Sequence, residues 1–416
     1  MGGDEIASVV LIGMTVHIRI TSVAGHYKEN RMRSYLDYSS TAPVRPEVAR
    51  AVNAVMNSGY YGDPSRNYYE ALVVRDIVER ARDSIARFVG TRSRNVIFTS
   101  SGTEAVNLAI YSATRHNKRN GVVCSSLDHS SVRTASTLWA RPVEVPILQD
   151  SSCSDLTQLA NILEAHQHER DGIALVNCQM INHESGVVQP YREIAELCNR
   201  YGIPVHIDAC NAIGNENLAD VVSTADYVTV TAHKMGALPG VGALIVGDGI
   251  RVKPMITGAV QERSRRAGFE NYIGIHAFGV ACDTLSAQGS LEREASRLRA
   301  LLAPLRSFVS QSSHTTLLEF DGLMAPHMMV FSLQGIKAEA VVVEMDKLGI
   351  AVHSGSSCSS EPFAPSPVLG SLGVDPESTL RVSVGWNTTE QDIRLFIESL
   401  DAVTSRLSKL RAIMAV

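Results

Sequence analysis

Lys234 closes the segment TVTAHKMG, in which a β-branched run ends on Thr231, Ala232 and His233. A lysine at the end of a buried strand can lose its proton by desolvation and attack a carbonyl carbon. A lone His-Lys pair is more often a surface feature, so its weight comes from its neighbours. HIDACN puts Asp208 just past another apolar run. A carboxylate there can keep an aromatic ring nitrogen protonated and make the ring an electron sink, or merely cap the next turn. In FTSSGTEAVNLAI a strand ends in Ser100, Ser101, Gly102 and Thr103 and opens a helix. Glycine permits close backbone approach, threonine adds a hydroxyl, and the free N–H groups of a helix start suit a phosphate; the same residues also satisfy a capping box. His129, in SSLDHSSV, can stack on an aromatic ring or carry a proton, or be structural. Cys358, in AVHSGSSCSSEPFAPSPVL, lies among small polar residues of a loop, where a thiol can be exposed and reactive.

The elements that must position these groups alternate between short β-branched runs and helical patterns, which argues for an α/β architecture. Strands are expected at residues 95–99, 121–125, 173–177, 204–207, 227–231 and 242–246, with helices at 104–114, 155–165 and 191–200 between them. Near-continuous apolar strands such as IALVN and YVTVT suit a parallel sheet buried on both faces, whose functional groups gather at the carboxyl ends. After about residue 290 a charged helical stretch leads into MMVFSLQG, a helix, GIAVHSG and the closing LRVSVGWNTTEQDIRLFIESL. That reads as a smaller α+β domain, with a cleft between the two. The expected division is an extension at 1–33, a small domain from 34–47 and 291–416, and a large domain at 48–290.

A chain of 416 residues, 45% hydrophobic and 19% charged, is long enough for two packed domains. Its net charge of −5 gives no electrostatic footprint for holding nucleic acid or an anionic membrane directly. The seven cysteines show neither CxxC spacing nor disulfide-framework density, which suggests a reducing, cytoplasmic setting. The apolar stretch from Ile6 to Ile20 is broken by His17 and Arg19 and preceded by Asp4 and Glu5, which argues against a secretory signal or membrane span. The regular pattern begins at Tyr35, and Met32 is a natural alternative start.

Taken in order from YLDYSSTAPVRPEV at Tyr35 to TTEQDI near Ile393, these motifs resemble the cysteine desulfurases of the class V aminotransferase group. These are fold type I enzymes dependent on pyridoxal 5'-phosphate, with a large mainly parallel-sheet domain and a smaller α+β domain. The resemblance implies that Lys234 carries the cofactor, Asp208 partners its ring nitrogen and His129 stacks on it. Gly102, Thr103, Thr231 and His233 would hold its phosphate. It also implies that Asn182, in CQMINHESGVVQP, lies beside the cofactor and the substrate carboxylate, which Arg381 in LRVSVGWN grips. Cys358 would accept the sulfur of L-cysteine as a persulfide, with L-alanine released. The distance from Cys358 through Pro365, Ser366, Val368 and Leu369 fits the long-loop subgroup that serves iron–sulfur assembly and tRNA thiolation. A sulfur-acceptor protein and a homodimer are expected by the same analogy.

Four positions depart from the family pattern. Asn211 stands for a glutamine that bonds the cofactor's phenolic oxygen, and His183 for a second asparagine after Asn182. Phe269 stands for a threonine that reaches the partner subunit's phosphate, and Trp386 for an arginine. They suggest a divergent branch with a specialised sulfur destination. Other readings are a selenocysteine or cysteine lyase of the same fold, which would not depend on Cys358, and a weakly active scaffold in a sulfur-transfer complex.

Overall fold

The computed structural model describes residues 5–11, 14–20, 33–116, 118–169, 172–355 and 366–414. Cys358 lies outside the described residues.

Seven strands form the main sheet: β1 Val96–Thr99, β2 Gly121–Ser125, β3 Arg141–Val145, β4 Ile173–Gln179, β5 Val205–Asp208, β6 Tyr227–Thr231 and β7 Gly242–Val246. Their spatial order is β1-β7-β6-β5-β4-β2-β3. The run β3-β2-β4-β5-β6 is parallel, whereas β7 is antiparallel to both β6 and β1. The central strands β2, β4, β5, β6 and β7 are buried along their whole length, as their unbroken apolar character requires in a sheet covered on both faces. All six expected strands are present. The seventh, β3, begins RPVEV; its proline is tolerated because β3 is an edge strand, paired with β2 alone in this sheet.

Strand direction decides which side chains can meet. The parallel strands β4, β5 and β6 end on one side of the sheet at Gln179, Asp208 and Thr231. β7 starts on that same side, and Gly242 pairs with both Thr231 and Thr99. A Cβ on Gly242 would lie 2.7 Å from the carbonyl carbon of Ser101 and 2.9 Å from the nitrogen of Gly102. Only glycine lets the sheet approach so closely the turn that opens the helix Gly102–Thr114.

A second core surrounds a four-stranded antiparallel sheet, β8 Thr315–Leu317, β9 Met328–Leu333, β10 His353–Ser354 and β11 Thr379–Ser383, in the order β8-β9-β11-β10. Phe331, Leu380 and Val382 from this sheet pack with Leu36, Leu305 and Phe396. Residues 34–37 are tied in from the start of the chain: Ser34–Tyr35 runs parallel to Ile350–Ala351, and Asp37 bridges to Ser383. The segments Glu5–Leu11 and Met14–Ile20 pair with each other in a two-stranded sheet. No helix among the described residues is long and apolar enough to cross a membrane.

Candidate active site

A cavity of ≈ 370 Å³ opens at the carboxyl ends of β5 and β6. Lys234, Asp208, Asn211, His129, Thr231, His233, Gly102, Thr103 and Arg381 all line it, so nine residues singled out in the sequence meet in one place.

Asp208 is the last residue of β5 and is 9% exposed. Its Oδ1 accepts the backbone N–H of Cys210 at 2.9 Å. Burial alone would push its pKa up, but that hydrogen bond and the nearby His206 hold it below the usual carboxylate range. His206 is wedged between neighbouring strands, Nδ1 2.9 Å from Asn177 Oδ1 and Nε2 2.8 Å from Thr229 Oγ1, and burial drives its pKa down to about 4. Lys234 sits in the single turn His233–Met235 that follows β6. His233 places its Nδ1 3.1 Å from Thr41 Oγ1.

The other end of the cavity is the start of the helix Gly102–Thr114. Ser101 caps it by accepting the N–H of Glu104 at 3.2 Å, and Glu104 reaches back to the N–H of Ser100 at 2.8 Å, a capping box shifted by one residue, since its carboxylate takes the N–H before the cap. Arg266 clasps Glu104 through two bonds of 2.8 and 3.1 Å and so fixes this turn. Gly102 packs under Cys210, whose sulfur would lie 2.5 Å from a Cβ there. Thr231 Oγ1 is buried with no hydrogen-bond partner. An orphaned hydroxyl beside the unsatisfied N–H groups of a helix start is what a phosphate would complete.

His129 caps the helix Ser130–Trp139: its Nδ1 accepts the N–H of Ser131 at 3.1 Å and lies 2.8 Å from Ser131 Oγ. Burial, with His183 next, lowers its pKa to about 4. Asp128 beside it is fully buried and pushed up to about 7, by burial first and by the charge of Asp208. Arg381, in β11, donates from Nη1 to the carbonyl of His183 at 2.7 Å. Its Nη2 donates to Asp37 Oδ1 at 2.7 Å and to Ser40 Oγ at 2.8 Å. Its Nε is buried without a partner.

Asn182 departs from its expected place, since it does not line the cavity. Its Oδ1 accepts the N–H groups of Glu184 and Ser185 at 2.9 and 2.7 Å, and its Nδ2 donates to the carbonyl of Leu127 at 3.2 Å. The amide is spent on building the turn after β4. The next residue, His183, takes the place at the cavity, its ring 5.0 Å from that of His129 at an interplanar angle of 72°. Asn211 does line the cavity, but its Nδ2 is directed 3.2 Å from the sulfur of Met328, a weak acceptor. Phe269 is 59% exposed and lies off the cavity lining. Trp386 serves structure: its Nε1 donates to the carbonyl of Pro43 at 3.0 Å, and Arg45 lies 5.6 Å from its ring centre. Sequence reasoning missed Ser40, Gln179 and His353, which also border the cavity.

Residues 34–396 match the family described as aminotransferase class-V. The chain is 31% identical to cysteine desulfurase IscS 1 of Archaeoglobus fulgidus, over 90% of this chain and 98% of that one. It is 34% identical to cysteine desulfurase IscS of Photorhabdus laumondii subsp. laumondii, over 90% and 94%. Among solved structures, a NifS-like protein from Rickettsia africae superposes with a TM-score of 0.79 at 25% identity, covering 90% of this chain and 99% of that one.

Proposed function

The chain belongs to the class-V aminotransferases and, within them, to the cysteine desulfurases, and from that premise we propose how its own residues divide the work. The observation that carries the reading is the meeting of Lys234, Asp208, His129 and Arg381 around one cavity next to a helix start. That donor set fits pyridoxal 5'-phosphate. Asp208 would face the ring nitrogen, His129 the ring, and Lys234 the aldehyde carbon. Gly102, Thr103, Thr231 and His233 would surround the phosphate, whose oxygens would satisfy the buried Thr231 hydroxyl. When bound, the cofactor supplies an electron sink for the carbanion formed at Cα of the substrate.

The remaining steps belong to the protein. The Arg381 guanidinium takes the carboxylate of L-cysteine, with Nε and the second Nη1 hydrogen as the donors that its protein contacts leave unused. Asp37 and Ser40 hold the guanidinium in place through Nη2. The Lys234 amine removes and returns the Cα proton. Asp208, kept ionised by the Cys210 N–H, would hold the proton on the cofactor's ring nitrogen. The thiolate of Cys358 attacks the substrate sulfur, which stays on Cys358 as a persulfide for an acceptor protein while L-alanine leaves. Asn211 stands beside this chemistry with a side chain aimed at Met328, which leaves a phenolic oxygen a weaker partner than a glutamine would give. The enzyme is read as a homodimer by analogy; the exposed Tyr61, Tyr69 and Phe269 offer apolar surface for such a contact.

The test is release of L-alanine and sulfide from L-cysteine with a thiol reductant, by the wild type, Lys234→Ala and Cys358→Ser. The reading requires that Lys234→Ala lose both products and that Cys358→Ser keep the cofactor absorbance yet lose turnover. Equal turnover by wild type and Cys358→Ser would instead make the protein a lyase that frees sulfide directly.

A further inference from the structure

We propose that His183 is a second proton-transfer residue of this active site and takes the thiol proton of the bound amino acid; this rests on the desulfurase reading above. The imidazole lines the cavity, and its side chain is only 12% exposed. Its own carbonyl is held by Arg381 Nη1 at 2.7 Å, the same guanidinium that receives the substrate carboxylate. A substrate fixed by its carboxylate at Arg381 and by its amino group near Lys234 has its side chain confined to the space left between them. His129, His183, His233 and His353 border the cavity; His233 is turned to Thr41, and burial lowers its pKa to about 4.

Of these, His183 is the one mounted to exchange a proton. Its Nε2 lies 3.4 Å from Glu184 Oε1, and its Nδ1 3.2 Å from Gln179 Oε1. Both contacts are longer than the ~2.9 Å of a settled N–H···O bond, so a substrate group can displace one of them. Glu184 is 4% exposed and is itself bonded by Ser366 Oγ, the cap of the helix Pro367–Ser371. Burial would raise its pKa, but His183, Ser366 and Arg381 hold it below the usual range. A buried carboxylate behind an imidazole fixes the ring's orientation and balances the charge the ring acquires. His129 lacks this support. Its Nδ1 is taken up by Ser131, and with a pKa near 4 it is a weak base at neutral pH. The charged and titratable groups around His183 are Glu184 in its own turn, His129 at the start of its helix, Arg381 from β11 and His353 from β10.

The proton count closes. The S–H bond of L-cysteine breaks with its electron pair left on sulfur, and the proton passes to an imidazole nitrogen of His183. As sulfur leaves for the Cys358 thiolate, the electron pair of the C–S bond falls to Cβ. Cβ then takes up a proton from solvent and becomes the methyl group of L-alanine, and His183 gives the thiol proton up to solvent.

The experiment compares L-cysteine with L-selenocysteine on holoenzyme, wild type against His183→Asn and His183→Gln, with cofactor absorbance and melting temperature as controls. A selenol is already ionised at neutral pH and needs no base. The proposal expects alanine release from L-cysteine to fall at least about tenfold in both variants, within the range of general-base catalysis, and release from L-selenocysteine to stay within about twofold. An equal fall on both substrates gives His183 a structural role only, and no fall on either removes it from the chemistry; each overturns the proposal. Absence of turnover by the wild type on L-cysteine refutes the desulfurase reading itself.

Discussion

Arg381→Lys tests binding of the substrate carboxylate, and it gives up the Nη1 bond to the carbonyl of His183 as well. The guanidinium spends one Nη1 hydrogen on the carbonyl of His183 and both Nη2 hydrogens on Asp37 and Ser40, which leaves the second Nη1 hydrogen and the buried Nε uncommitted. Lysine brings one compact ammonium, which Asp37, at 20% side-chain exposure, will draw to itself. The substrate then loses one charge-assisted hydrogen bond, worth about 2 kcal/mol. At about 1.4 kcal/mol per tenfold, kcat/KM for L-cysteine should drop roughly 30-fold, with most of the loss in KM. Steady-state alanine production measures it, and cysteamine supplies the control. Cysteamine lacks the carboxylate, so the two enzymes should convert it at similar low rates. If KM for L-cysteine stays within about threefold of wild type in a folded, cofactor-loaded variant, the carboxylate is bound elsewhere and the assignment of Arg381 fails.

Two further predictions concern the scaffold. Glu262 accepts two bonds of 2.7 Å from Arg82 and one of 2.9 Å from the N–H of Phe98, with both charged side chains at most 5% exposed. Glu262→Gln leaves the buried Arg82 charge with only the half-exposed Glu79, 3.1 Å from its Nε, and should cost up to about 3–5 kcal/mol in urea unfolding; a loss under about 1 kcal/mol would mean that Glu79 and water suffice for Arg82. The buried His206 supplies a pH dependence. Its folded pKa of about 4 lies below the ordinary value of 6.5, so the unfolded chain binds one more proton between these limits. Stability from this group is therefore intact above pH 6.5 and falls as the pH drops towards 4, by about 1.4 kcal/mol per unit in between. His206→Asn should lower the slope of unfolding free energy against pH near 5 by about that amount, whatever it does to absolute stability; an unchanged slope would mean that His206 is charged in the folded protein.

Legibility in the sequence tracks the physics of each element. Lys234, Asp208 and Thr103 stand where apolar runs end, and in a parallel sheet all such ends lie on one side, so their meeting is implied by the strand pattern. The reversed direction of β7 is within reach too. Residues 232–241 hold only the single turn His233–Met235, and a parallel return needs a crossover of about a dozen residues or more. The turn after β4 is different. Strand alternation ends at Gln179, and beyond it no period decides which of two adjacent side chains enters the cavity; the hydrogen bonds of the Asn182 amide decide it, in favour of His183. Arg381 is harder still, because the partners that orient it, Asp37 and the carbonyl of His183, come from distant parts of the chain and meet only when β11 is placed in its sheet. Local pattern thus determines which groups reach the cavity from the large sheet. The side lined by His183 and Arg381 is set by contacts between segments far apart in sequence, and the departures His183 and Asn211 lie where such contacts form.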